Sequence, residues 1–149
     1  GVIITSPNSD AKGNVMINTI KSFIKKNKLK NFLFVKSLGS KVFLSMLREV
    51  DGMVGNSSSG ISEAPFFGIG TVNIGNRQEG RIMSSSIINC STYKKSIIKS
   101  VKKVLSKSFK NKVKYELKKY GNGYTAQKIS KKLLLFNFKK YEKKVFFDI

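Results

Sequence analysis

The sequence predicts an α/β domain built on a parallel sheet with helices on both faces. Three observations carry this. Short apolar runs alternate with longer amphipathic stretches through roughly the first ninety residues. The connections between them are short, and a strand, helix, strand succession requires a right-handed crossover that lays each helix on a face of the sheet. The residues able to hold a ligand all follow apolar runs, and in such sheets ligands bind beyond the carboxyl ends of the strands.

Taken in order, Val2 to Thr5 is a strand closed by the turn Ser6-Pro7-Asn8-Ser9-Asp10. Val15, Ile17, Ile20, Phe23 and Ile24 then fall near helical spacing over polar Asn18, Lys21, Lys25 and Lys26. Phe32 to Val35 is a second strand, and Ser40 is the expected N-cap of a helix carrying Val42, Phe43, Leu44 and Leu47. Gly52 to Gly55 is a third strand, with a serine turn and a helix starting near Gly60 behind it. Thr71 to Ile74 and Ser86 to Asn89 are the fourth and fifth. The last third reads as helical. Ile97, Ile98, Val101, Val104 and Leu105 mark one helix, Tyr120-Gly121-Asn122-Gly123 interrupts the chain, and Ala126, Ile129, Leu133 and Leu134 mark another. One domain is expected over residues 1–136. A Lys-rich extension follows over residues 137–149, where Tyr141, Val145, Phe146 and Phe147 keep no period.

A chain of 149 residues suits one domain with a real core. It opens at Gly1 without Met, which fits a segment of a longer protein. No apolar stretch approaches the ~20 residues of a membrane span, and no signal-peptide pattern is present. The single Cys90 and the absence of His give neither a disulfide framework nor metal spacing, so no metal and no cofactor is expected, in a reduced, cytoplasmic setting. The net charge of +21 invites a nucleic-acid partner. Its distribution argues against one. Tyr93 to Ile149 holds 18 Lys, no Arg and three acids, the Lys interleaved with apolar residues at helical spacing. That is a solvated helix surface, whereas base readout favours Arg forks.

The run from Gly55 to Arg81 carries the chemistry. Ser57, Ser58, Ser59 and Gly60 join a strand end to a helix start, where outward N–H groups and small hydroxyls favour a phosphate; an ordinary capped turn would look the same. Glu63, read as lying in the first turn of that helix, can accept two hydrogen bonds from vicinal ribose hydroxyls or merely complement the helix dipole. Arg77 and Arg81 stand where Lys dominates elsewhere. Their planar forks suit phosphate oxygens, the alternative being an ion pair with Glu79. Ser37-Leu38-Gly39 with Phe43 can form a slot for a flat base, although Phe43 also suits the core. Asp10, Glu49, Asp51, Glu63 and Glu79 are scattered, so no acid–base pair stands out.

Five motifs together carry a resemblance: T-S-P-N-S-D-A-K-G, V-K-S-L-G, G-N-S-S-S-G-I-S-E-A-P-F-F-G, V-N-I-G-N-R-Q-E-G-R and Y-G-N-G-Y-T-A-Q-K-I. In order and spacing, from about Gly1 to Leu135, they resemble the C-terminal half of hydrolysing UDP-N-acetylglucosamine 2-epimerases of sialic and nonulosonic acid pathways. The resemblance implies a Rossmann-like C-terminal domain of a two-domain, GT-B-like fold, with the nucleotide sugar in the cleft. It implies that Ser57, Ser58, Ser59 and Arg77 hold the UDP diphosphate, Glu63 the ribose, and Leu38 and Phe43 the uracil. The family eliminates UDP in the anti sense and then adds water with inversion at C2. Its acid–base carboxylates and cleft His belong to the N-terminal domain, so no catalytic residue is expected in this chain, which alone should be inactive. The expected partners are a UDP-sugar, the N-terminal domain and, for the full-length enzyme, further copies of itself. The rival expectations are the nucleotide domain of a GT-B glycosyltransferase and a truncated UDP-binding remnant.

Overall fold

The computed structural model of the chain describes residues 1–7, 13–114 and 122–138. It divides into two compact units, Gly1–Val50 and Asp51–Ile149. Residues 139–149 of the expected extension, the turn residues after Pro7 and the start of the Tyr120 to Gly123 break lie outside the described residues.

In the first unit, β1 (Val2–Thr5) and β2 (Phe32–Val35) pair in parallel, Val2 opposite Phe32 and Thr5 opposite Val35. The crossover helix α1 (Gly13–Lys26) lays Lys21 Nζ 5.5 Å from the centre of the Phe34 ring. Its inward stripe is Gly13, Ile17, Ile20 and Ile24, spaced four, three and four. Val15 and Phe23 are exposed, which corrects the expected apolar face: at about 100° per residue, Val15 stands some 200° from Ile17. The next helix, α2 (Gly39–Glu49), starts two residues earlier than an N-cap at Ser40 implies. Ser40 lies inside it rather than capping it, because Ser37 Oγ already accepts the Gly39 N–H at 3.2 Å and turns the chain into the helix. Leu47 is its buried residue, and Val50 leaves the helix in extended conformation.

In the second unit, β3 (Gly52–Gly55), β4 (Gly70–Ile74) and β5 (Ile87–Cys90) form a parallel sheet in that order. Parallel pairing throughout agrees with the expected class. The strands nevertheless fall into two ladders rather than one, since alternating elements dictate parallel neighbours but not which neighbours share a sheet. The central strand β4 is buried from Gly70 to Asn73, as a strand covered on both faces must be. Toward one face Val72 packs with Val104 of α4 (Lys94–Val104) and with Phe109 and Val113 of α5 (Lys107–Lys114). Toward the other, Thr71 meets α3 (Ser59–Ser62). Side chains alternate along β4 accordingly. Gly52 and Gly70 face each other across the ladder, and a Cβ on either would stand within 3 Å of Val104 Cγ1. These two residues let the helix close on the sheet.

The helix α5 has no apolar period to announce it, with only Phe109 and Val113 turned inward. Ser106 opens it, accepting the Phe109 N–H on Oγ at 3.3 Å. Lys110 of this helix donates to Asp51 Oδ1, and that hydrogen bond and charge hold the Asp51 carboxyl below its ordinary value. A final helix, α6 (Thr125–Leu134), shows Ile129, Leu133 and Leu134 to solvent. Among the described residues, no helix is long and apolar enough to cross a membrane.

Candidate functional site

Parallel pairing decides where the candidate residues of the second unit emerge. Val54 lies opposite Val72 and Gly55 opposite Asn73, so the turns after β3 and β4 leave the sheet at the same carboxyl edge. Gly55 has φ +150° and Gly75 φ +77°, conformations that admit glycine and reverse the chain at once. The serine turn and the Arg77 turn therefore begin side by side. Beside them an open depression of about 540 Å³ runs along Gly75, Asn76, Asn89, Cys90, Ser91 and Thr92, at the ends of β4 and β5.

The serine turn spends part of its expected donor capacity on itself. Ser59 N–H donates to Ser57 Oγ at 3.3 Å, and Gly60 N–H to Ser57 O at 3.2 Å. The N–H groups of Ser57 and Ser58 have no acceptor among the described residues, and both residues are exposed. They and the hydroxyls of Ser57, Ser58 and Ser59, the first still holding its hydrogen while it accepts from Ser59, are the donors left for an anion. The helix behind them is a single turn, so its dipole adds less than a full helix would. It is short because Ala64-Pro65 follows: Pro65 opens a 3-10 turn over Ala64–Phe67, which Gly68 stops in the left-handed region.

This shortening moves Glu63. The residue ends α3 rather than lying in its first turn, and it is the N-cap residue of the 3-10 turn that follows, with no side-chain cap bond there. Glu63 is half-buried, and its Oε2 lies 2.5 Å from Ser62 Oγ, which is also 3.0 Å from Ser58 O, so the one hydroxyl hydrogen is shared between two acceptors. The Ser62 contact fixes the carboxylate while leaving its second oxygen for another donor. With Oε1 open among the described residues and a further lone pair on Oε2, the carboxylate can still accept from both hydroxyls of a diol.

Arg77 and Arg81 are exposed, and neither pairs with Glu79: the ion pair among the described residues joins Lys110 and Asp51. The Arg77 fork thus stays open to a ligand. Its neighbour Gln78 is buried and donates from Nε2 to Asn56 O at 2.8 Å, tying the Arg77 turn to the residue before Ser57. Sequence reasoning missed it, because a Gln in a polar loop carries no burial signal.

Ser57, Ser58, Ser59, Glu63 and Arg77 all belong to the second unit. Leu38 and Phe43 belong to the first, at the entry to α2 and in its first turns. Both are half-buried. Five helical positions separate them by roughly 140° around the axis, so they do not share a face of α2.

Residues 1–134 match the family model described as UDP-N-acetylglucosamine 2-epimerase. The chain is 38% identical over 109 residues to the GDP/UDP-N,N'-diacetylbacillosamine 2-epimerase (hydrolyzing) of Campylobacter jejuni, covering 73% of this chain and 28% of that protein. It is 33% identical over 127 residues to the UDP-N,N'-diacetylbacillosamine 2-epimerase (hydrolyzing) of Legionella pneumophila, covering 85% and 32%. With the UDP-N-acetylglucosamine 2-epimerase of Neisseria meningitidis it shares 32% identity over 105 residues, covering 70% and 27%. The matched stretch thus spans about a quarter to a third of each relative's length.

Proposed function

The chain belongs to the UDP-N-acetylglucosamine 2-epimerase family, and from that premise we propose that it is the nucleotide-binding half of a hydrolysing 2-epimerase. Its substrate is UDP-N-acetylglucosamine or a related UDP-acetamido sugar, of the kind named for the Campylobacter and Legionella relatives, and its products are UDP and the 2-epimeric free sugar. The observation that carries this reading is the emergence of the serine turn and the Arg77 turn from neighbouring parallel strands. A diphosphate has two anionic groups to satisfy, and two adjacent donor turns match it.

In this reading the Ser57 and Ser58 N–H groups, with the Ser57, Ser58 and Ser59 hydroxyls, hold one phosphate, and the Arg77 fork holds the other. Glu63 accepts from the ribose hydroxyls. Leu38 and Phe43 receive the uracil. As the sugar C1–O bond breaks, negative charge grows on the leaving diphosphate, and these donors stabilise it before it departs. The proton transfers at C2 and the addition of water fall to an N-terminal domain. The working enzyme is a homo-oligomer in a reducing, cytoplasmic compartment, which suits the free Cys90 thiol.

Calorimetric titration of the chain with UDP tests this. Binding without turnover of UDP-N-acetylglucosamine is expected; no response to UDP refutes the reading. Adding the N-terminal half of a hydrolysing relative should release UDP with no sugar acceptor present, and strict dependence on an acceptor would assign a transferase instead.

A further inference from the structure

Gln78 differs from everything beside it. Asn76, Arg77, Glu79 and Gly80 are exposed, whereas Gln78 is only 3% exposed. Burial of a primary amide is unfavourable unless its groups are paired, and here just one side is: Nε2 donates to Asn56 O, while Oε1 is enclosed with no partner among the described residues. The assignment of the amide is forced, because a carbonyl oxygen can only accept. The single bond joins positions 22 residues apart, one adjoining Ser57 and the other adjoining Arg77.

The bond acts on a peptide plane. Asn56 C=O and Ser57 N–H belong to the same trans peptide and point in opposite directions. Fixing that carbonyl therefore fixes the direction of the Ser57 N–H, and a donor on the carbonyl side polarises the N–H into a better donor. That N–H is one of the two in the turn without an acceptor among the described residues.

We propose that Gln78 is a positioning residue for the diphosphate: it aims the Ser57 N–H and holds the serine turn in register with Arg77, so that both turns grip a nucleoside diphosphate together. This deepens the nucleotide reading above and rests on it. Gln78 does not touch the ligand, so its effect falls on the phosphates and not on the nucleoside.

The test titrates UDP, inorganic pyrophosphate and uridine into the full 149-residue chain and two variants. Gln78→Met keeps the length and loses the donor, and should weaken UDP and pyrophosphate alike by about 5- to 30-fold while leaving uridine unchanged. Gln78→Glu loses the donor when ionised and regains an O–H when protonated; burial raises the pKa of such a carboxyl. Its affinity relative to the parent, compared at each pH, should therefore recover as pH falls, whereas that of Gln78→Met should not. Affinity is taken per folded molecule, with the folded fraction followed by circular dichroism at each pH, so a recovery of stability alone leaves it unchanged. Should Gln78→Met fail to fold, the Gln78→Glu series decides. Parent-like UDP affinity in Gln78→Met, or no recovery in Gln78→Glu, overturns the positioning role while UDP binding by the parent stands. A parent that binds neither UDP nor pyrophosphate overturns both the nucleotide reading and this one.

Discussion

Gly60 backs directly onto Thr71: a Cβ at position 60 would stand 2.7 Å from Thr71 Cγ2, with Met53 Sδ close behind at 3.7 Å. The start of α3, and with it the serine turn, therefore sits as close to β4 as a backbone can. Gly60→Ala must push the turn outward or displace a 2%-exposed Thr. Overpacking of this kind typically destabilises by about 1–3 kcal/mol. Urea unfolding should show a lower midpoint, and UDP affinity of the folded fraction should fall as well, since the Ser57 and Ser58 donors move with the turn.

Glu63 is held by Ser62 with one oxygen to spare. Glu63→Gln keeps the shape and removes the charge, so UDP should bind more weakly by about 1.5–3 kcal/mol, the range for hydrogen bonds to charged groups. Pyrophosphate, which has no ribose, should bind as it does to the parent. Equal loss for both ligands would remove Glu63 from the ribose.

Arg77 provides a fork that no protein carboxylate occupies among the described residues. Arg77→Lys preserves the charge but not the paired donors, and is expected to weaken UDP and pyrophosphate about tenfold. Arg48→Lys, on the exposed end of α2, serves as the control and should change neither. If the two variants behave alike, Arg77 contributes only general charge.

The Lys110 contact lowers the Asp51 pKa from its ordinary value of 3.8. A carboxyl whose folded value lies below its unfolded value stabilises the fold above the unfolded pKa, and that contribution is lost as pH falls through the folded one. Thermal unfolding should thus show a parent advantage over Asp51→Asn near neutral pH that vanishes in acid. Because the pair is on the surface, added salt should shrink the advantage. A difference that persists unchanged below the folded pKa would contradict the assignment.

Much of this was legible in the sequence, for identifiable reasons. The strands Val2–Thr5, Phe32–Val35 and Gly52–Gly55 are short apolar or glycine-bounded runs, and the structure places their ends where those boundaries fall. The serine turn was legible because it follows such a run. What escaped depended on tertiary contact. Val15 looks as apolar as Ile17 in a list of spacings, and only the axis of α1 turns it to solvent. The sequence puts Glu63 in a first helical turn because nothing before Pro65 announces that α3 lasts four residues. Gln78 carries no signal in the sequence, since its partner is a carbonyl 22 residues away. The capping Ser106 was the overlooked signal for α5, three residues before a buried Phe.

Gly52 and Gly70 have a further consequence. Glycine is a poor strand former, weaker by roughly 0.5–1 kcal/mol than Ala inside an element, so the ladder where they pair cannot rely on its own propensity. It is held shut by Val104 and Phe109 filling the space the missing side chains leave. Strand pairing and helix docking are there a single event. Amide protons of β3 and β4 should exchange in the same opening as those of α4, with no intermediate in which the sheet survives its helix.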